Sequence, residues 1–241
     1  MRGIYTAGVL DFFLEKGLHF DGVIGVSAGA AHACSFLSAQ KGRSLRYHKR
    51  YCADPRFMSL RSFFKTGNLV GVDFCYPDMK EQIDCVRASA SLPYVSKPVE
   101  IDGKKLLDGG CTDGVPVEAF RKMGYARNVV ILTRPADYVA RPAPRFLAKL
   151  FYRKYPAFVK ALNGNHNRYN QTMARIAQME REGEIFVIRP AERLRVGNLE
   201  SHPDVLQRAY DLGRADAEHS FAKLTAWLER QCNKEREVYE K

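Results

Sequence analysis

The chain has 241 residues, a formal net charge of +11 and a hydrophobic content of 46%. This length and composition are typical of one folded domain with a substantial core, and they exclude a disordered chain. No apolar run approaches the roughly 18 residues of a membrane span. No signal peptide precedes the acidic residues Asp11 and Glu15, so we expect a cytoplasmic protein.

Helical and apolar stretches alternate along the chain. The sequence predicts helices at residues 4–16, 28–40, 168–182 and 203–232. It predicts strands at residues 20–27, 104–107, 128–133 and 184–190. This alternation favours an α/β fold in which helices cover a sheet. Gly213 is expected to be a weak point of the last helix. Residues 134–165, with four prolines and many basic residues, are predicted to form a loop or a mobile cap.

One serine has a distinctive setting, the segment GVIGVSAGAA at residues 22–31. Ser27 stands between a predicted strand and a predicted helix. A tight turn there would project the hydroxyl above the sheet, and side chains at Gly25 or Gly29 would strike neighbouring backbone. The helix beginning at Ala28 would direct its N-terminal N–H groups toward a substrate carbonyl. The pattern indicates either a nucleophile or a serine that only caps the helix.

A nucleophilic serine needs an activating partner. None of the six histidines has a recognisable catalytic setting, and His32, in the helix behind Ser27, is expected to point away from the hydroxyl. Asp108, in the segment LLDGGCTDGVP, follows a predicted strand and precedes Gly109 and Gly110. These glycines let backbone approach closely and leave the carboxylate free. A carboxylate within hydrogen-bond reach can take a serine proton directly. The sequence therefore predicts a Ser–Asp pair, with an ordinary Asp-Gly turn as the alternative.

Three blocks between residues 2 and 116 together resemble the patatin-like phospholipase family. GVSAG matches the nucleophile elbow of the family, and DGGCTDGVP matches its aspartate segment. Between them, RASASLPYVSKPVEIDGKKLLDGG is similar to the approach to that aspartate, with Ser91 and Pro93 in the matching stretch. The combination is far more specific than either motif alone.

The resemblance implies a three-layer α/β sandwich, with a central, mostly parallel sheet flanked by helices. It implies one domain over residues 1–241, with residues 200–241 as a C-terminal helical segment. It also implies that Ser27 is the nucleophile and Asp108 the base of a serine acyl-ester hydrolase. Such an enzyme acts on lipid acyl esters through an acyl-enzyme and needs no metal or organic cofactor. The rival within the same chemistry is a thioesterase or a small-ester esterase.

The N-terminal residues fit only part of the family pattern. The family opens with a strand and a glycine-rich GGGxRG loop that forms the oxyanion hole, and Met1-Arg2-Gly3 matches the end of that loop. We therefore expect either a piece of a longer chain or a shortened form. Arg2 and Gly3 are the implied oxyanion residues, with the Ala28 N–H as a third. Each missing donor costs roughly 10²- to 10³-fold in rate, so a catalytically impaired lipid-binding protein is an alternative.

Basic residues cluster at residues 41–50 and 141–156. Residues 145–162 mix cations with large apolar side chains. They predict either a cap helix packed on the core or peripheral contact with an anionic membrane surface. No recognition motif accompanies the charge, so the expected partner is a lipid or small acyl ester and not a nucleic acid. The six cysteines have no paired or metal-ligand spacing, which predicts mostly reduced thiols and no metal site.

Overall fold

A computed structural model of the chain describes residues 1–55, 81–197 and 199–239. Its helices are α1 (Ile4–Glu15), α2 (Ala28–Leu37), α3 (Arg43–Tyr51), α4 (Glu81–Ser89), α5 (Val117–Lys122), α6 (Arg145–Tyr152), α7 (Pro156–Arg181) and α8 (Pro203–Tyr239). Its strands are β1 (Val99–Ile101), β2 (Lys104–Leu106), β3 (Asn128–Ile131) and β4 (Ile185–Ile188). None of the helices in these ranges combines the length and the apolar character that crossing a membrane requires.

The strands within the described residues form two separate sheets. β1 pairs antiparallel with β2, and β3 pairs parallel with β4, with Asn128 opposite Ile185. The prediction of one central sheet in a three-layer sandwich is therefore not confirmed. The predicted strand at residues 20–27 packs Phe20 and Val23 against the core but joins neither sheet. A strand requires a hydrogen-bonded neighbour, and apolar patterning alone does not reveal whether one is present.

The four predicted helices are present as α1, α2, α7 and α8, whereas α3, α4, α5 and α6 were not predicted. The largest difference lies in the predicted loop at residues 134–165. α6 occupies Arg145–Tyr152, and α7 begins at Pro156, twelve residues before its predicted start. Residues 134–144 and 153–155 are the irregular parts of that region in the structure. Proline lacks an N–H, but the first turn of a helix leaves its N–H groups unpaired in any case. Pro156 therefore begins a helix here instead of breaking one.

The first and the last helix cross with their backbones in close contact. A Cβ atom at Gly8 would lie 2.1 Å from the carbonyl oxygen of Tyr210, and one at Gly213 would lie 2.1 Å from that of Tyr5. Both α1 and α8 thus place a glycine where a side chain would collide with the other helix. That Gly213 weakens α8 stays a prediction, and the structure adds that this glycine permits the crossing. Apolar residues beside it, including Val9, are fully buried.

Hydrogen bonds between polar side chains also join α1 to α8. The Tyr5 hydroxyl donates to Asp216 Oδ2 at 2.7 Å, and Arg214 donates to both carboxylate oxygens of Glu15. Hydrogen bonds from Arg214 and then from Lys41 lower the pKa of Glu15 to about 2. These contacts with α8 hold α1 in one place, and residues 1–3 with it.

The cysteines whose side chains are described are free thiols, as predicted. They are Cys34, Cys52, Cys85 and Cys111. Cys75 lies outside the described residues, and so does the side chain of Cys232.

Candidate active site

Ser27 occupies a strained turn immediately before α2. Its φ of 56° and ψ of −125° are angles that a non-glycine residue adopts only when its surroundings impose them. Its N–H donates to Ser89 Oγ at 2.9 Å, which ties the turn to the end of α4. The Ser27 side chain makes no capping hydrogen bond to α2. The alternative of a serine that only caps the helix is therefore wrong.

Asp108 is buried, with 4% of its surface exposed, and its surroundings orient the carboxylate. Its N–H donates to the Ser91 carbonyl at 2.8 Å, and its Oδ1 accepts from the Gly110 N–H at 2.7 Å. The other oxygen, Oδ2, is buried and has no hydrogen-bond partner of normal geometry among the described residues. Asp108 therefore keeps one buried oxygen as a free acceptor.

The structure brings Ser27 and Asp108 together. Gly109 packs against Val26, the residue before Ser27. A Cβ atom on Gly109 would lie 3.2 Å from Val26 Cγ1. Burial raises the pKa of Asp108, and hydrogen bonding from the Ser27 side chain and then from the Gly110 N–H lowers it. The contact between hydroxyl and carboxylate is looser than a well-formed hydrogen bond, since Oδ2 lacks a partner at normal geometry. Such contacts commonly tighten only when substrate binds.

Two open N–H groups lie beside Ser27. Gly3 precedes α1 and contacts the first residue of α2, so that a Cβ atom on Gly3 would lie 2.7 Å from Ala28 Cβ. Neither the Gly3 nor the Ala28 N–H has a hydrogen-bond partner within the described ranges. Two helix N-termini thus present unpaired donors at one place, where negative charge is favoured. The side chain of Arg2 is half-buried near Arg134, and burial followed by the Arg134 charge lowers its pKa.

A comparison with protein families identifies the N-terminal half of the chain. A model of the patatin-like phospholipases matches residues 1–73 and 49–121, which together make up half of the chain. The chain belongs to the patatin-like phospholipase family. At the level of that family it is a hydrolase of lipid acyl esters with an α/β fold.

The patatin-like chain also has similarity beyond residue 121. A second family model, described as a domain of unknown function (DUF6363), matches residues 155–229. The chain is 26% identical over 267 residues to the Uncharacterized protein YjjU of Escherichia coli (strain K12). That match covers 92% of this chain and 75% of the Escherichia coli protein.

The segment matched by the second model reaches the aspartate turn of the patatin-like segment. Asn165 Nδ2 donates to the Gly110 carbonyl at 3.0 Å, and Arg168 Nη2 donates to the Cys111 carbonyl at 3.1 Å. Both donors lie on α7, and both acceptors lie in the 3₁₀ turn that follows Asp108. Sequence reasoning missed Asn165 and Arg168, because no local motif marks a contact between residues more than fifty positions apart. Helix α7 thus supports the turn that orients the carboxylate.

Gly25 and Gly29, the glycines on either side of Ser27 in this patatin-like chain, have different surroundings. A Cβ atom at Gly25 would lie 2.6 Å from the Ala30 nitrogen, which confirms the predicted close approach. A Cβ atom at Gly29 would meet no atom of the described residues within 4 Å, so the predicted collision with backbone is wrong there. Gly29 lies in the first turn of α2, where it faces open space.

His32 is buried behind Gly3 and Ala28. Its Nδ1 lies 2.9 Å from Ser44 Oγ, and its Nε2 would lie 3.0 Å from a Cβ atom on Gly3. Burial, and then the nearby His48, lower the pKa of His32 to about 3, so the imidazole is neutral. His32 therefore packs against Ser44 and Gly3. Its contact with Gly3 could not be foreseen from sequence.

The Cys111 thiol lies near Asp108 but is not activated. Burial and then the charge of Asp108 raise the pKa of Cys111 to about 12, so its thiol stays protonated and unreactive near neutral pH. Among the residues that the structure describes, no group of three histidine, cysteine or carboxylate side chains lies together as a metal site requires.

Proposed function

We propose that this protein is a serine acyl-ester hydrolase that acts on lipid acyl esters, with Ser27 as nucleophile and Asp108 as general base. The observation that carries the proposal is the interaction of the Ser27 side chain with the buried Asp108 carboxylate, whose Oδ2 has no hydrogen-bond partner among the described residues. A base requires a free lone pair directed at the proton it takes. A carboxylate whose pKa is raised by burial is also a stronger base than an exposed one.

The reaction follows from the positions of these groups. Asp108 Oδ2 takes the hydroxyl proton while Ser27 Oγ forms a bond to the ester carbonyl carbon. The carbonyl oxygen gains negative charge and accepts hydrogen bonds from the Gly3 and Ala28 N–H groups. The bond to the alcohol oxygen then breaks, and Asp108 returns the proton to that leaving oxygen. An acyl-enzyme on Ser27 remains.

Deacylation repeats these steps with water. Asp108 takes a proton from a water molecule, and the water oxygen bonds to the acyl carbon. The bond to Ser27 Oγ breaks, and the serine regains its proton from Asp108. Fatty acid leaves, and the protein returns to its starting state with all atoms balanced. We further propose that both matched segments form one domain, since α7 and α8 contact the elements that carry the site.

Labelling with a fluorophosphonate probe tests the nucleophile, and hydrolysis of a short p-nitrophenyl ester tests the reaction. Ser27→Ala is expected to abolish labelling and turnover. Asp108→Asn is expected to lower turnover by at least 10³-fold, because the amide cannot accept a proton. Hydrolysis that survives Ser27→Ala would overturn the assignment.

Two nearby residues provide matched controls. Ser38 lies at the other end of α2 and is exposed, and Asp113 is an exposed carboxylate five positions after Asp108. Ser38→Ala and Asp113→Asn are expected to retain activity near that of the parent protein. A series of acyl chain lengths then separates a lipid hydrolase from a small-ester esterase. A preference for the shortest chains, without hydrolysis of phospholipid, would favour the esterase.

A further inference from the structure

The short helix α6 leaves large apolar side chains in solvent. Ala148 is buried, whereas Phe146, Leu150 and Phe151 are 66%, 68% and 57% exposed. The sequence left open whether this helix packs its apolar side on the core or faces a membrane. These exposures show that three of its apolar side chains are not packed on the core. Contiguous exposed apolar groups of this kind mark interaction surfaces.

Cations surround these apolar groups. The exposed basic residues on and around α6 are Arg141, Arg145, Lys149, Arg153 and Lys154. No aspartate or glutamate occurs in the sequence between Asp137 and Glu180. Within the described part of the chain, no carboxylate pairs with any of the five cations. We call these five cations, together with Phe146, Leu150 and Phe151, the α6 patch.

The α6 patch is connected to the proposed active site. The Tyr152 hydroxyl accepts from the Tyr94 N–H at 2.8 Å, and the Tyr94 ring lies edge-on to Phe151 with centroids 5.6 Å apart. Three residues before Tyr94, the Ser91 carbonyl accepts the N–H of Asp108. The patch and the aspartate are therefore held by the same short segment of chain.

We propose that the α6 patch docks the protein on the surface of an anionic lipid bilayer. Phe146 and Leu150 would enter the apolar region, and the cations would lie against anionic headgroups. An acidic protein surface would satisfy the cations but leave exposed apolar side chains against polar groups, so the bilayer is favoured. This proposal rests on the proposed function. Docking on a bilayer would bring Ser27 close to its lipid substrate.

Co-sedimentation with vesicles tests the docking. Binding of the Ser27→Ala protein, which leaves the lipid intact, is measured on pure phosphatidylcholine and on phosphatidylcholine with about 30% phosphatidylglycerol. Each cation near an anionic surface strengthens partitioning roughly fivefold. Arg145→Gln with Lys149→Gln is therefore expected to weaken binding to anionic vesicles about 25-fold. Phe146→Ser with Leu150→Ser is expected to weaken it at least tenfold.

Matched controls remove the same chemistry elsewhere. Leu37 and Met123 are 64% and 66% exposed, which matches the apolar pair of the patch, and Leu37→Ser with Met123→Ser is expected to leave binding unchanged. Arg208 and Lys223 are exposed cations on α8, and Arg208→Gln with Lys223→Gln is the control for Arg145→Gln with Lys149→Gln. This control is also expected to leave binding unchanged. Patch variants made with Ser27 intact are expected to keep full hydrolysis of a short soluble ester. This separates failed docking from failed catalysis.

Several results would overturn the docking proposal. Equal binding to pure phosphatidylcholine would remove the role of charge. If the control pairs weakened vesicle binding equally, any loss of exposed charge or apolar surface would be enough to weaken binding. Binding to a polyglutamate peptide without binding to anionic vesicles would assign the patch to an acidic protein partner.

Discussion

Replacing Gly213 with alanine tests the close crossing of α1 and α8. The new Cβ atom would lie 2.1 Å from the Tyr5 carbonyl oxygen, about 1.3 Å short of ordinary contact. A carbonyl on a buried helix cannot rotate away as a side chain can, so the helices must separate. Overpacking of this kind costs about 1–3 kcal/mol, and the better helix propensity of alanine returns at most about 1 kcal/mol. Because backbone must move, we expect a net loss of about 2 kcal/mol.

Thermal unfolding followed by circular dichroism measures this loss. In a chain of this size, 1 kcal/mol corresponds to about 2–4 °C in Tm, so Gly213→Ala is expected to lower Tm by about 4–8 °C. Gly29→Ala is the control, since its Cβ atom would lie more than 4 Å from every atom in the part of the chain that the structure describes, and it should leave Tm unchanged or slightly raised. A Gly213→Ala protein that melts within 1 °C of the parent would refute the crossing.

Three further predictions concern the site. The pKa of His32 falls from 6.5 to about 3 on folding, so the unfolded chain binds the extra proton and stability is lost as pH falls below 6.5. His32→Asn should shrink the difference in urea stability between pH 7 and pH 5 by about 2 kcal/mol, and an unchanged difference would contradict this. Ser89→Ala leaves the Ser27 N–H without its acceptor, which should lower kcat for a short ester about tenfold with little change in KM. A parental kcat would exclude that positioning role. Arg168→Ala should loosen the turn that fixes Asp108 and raise the pKa of that carboxyl, because its hydrogen bond from backbone weakens. The acidic limb of the kcat/KM profile should then move to higher pH, and Arg168→Lys should move it less. An acidic limb at the parental pH would argue against support from α7.

The two proposed reacting side chains could be predicted from sequence because each lies in a short motif. Ser27 is marked by flanking glycines, and Asp108 by the glycines that follow it. Local chemistry also predicted α1 and the start of α2, since helix periodicity and helix ends depend on nearby residues. These features needed no knowledge of distant parts of the chain.

Features that depend on distant partners could not be predicted in this way. The stretch at residues 20–27 has the composition of a strand, but within the described residues it lacks a ladder partner. Asn165 and Arg168 are ordinary polar residues on a helix until the fold places them against the aspartate turn. Gly29 and Gly25 are equivalent in the motif, yet of the two only Gly25 has backbone of the described residues beside its Cβ position.

The pairing of α1 with α8 has a consequence for how the protein is made. Tyr210 donates a hydrogen bond to Asp11, a partner 199 positions earlier in the chain. During synthesis, α1 therefore leaves the ribosome long before its packing surface on α8 exists. Contacts so distant in sequence slow folding, and they leave apolar surface unprotected until they form. An unfinished polypeptide would thus hold neither α1 nor the adjoining Gly3 in its final position until α8 has formed.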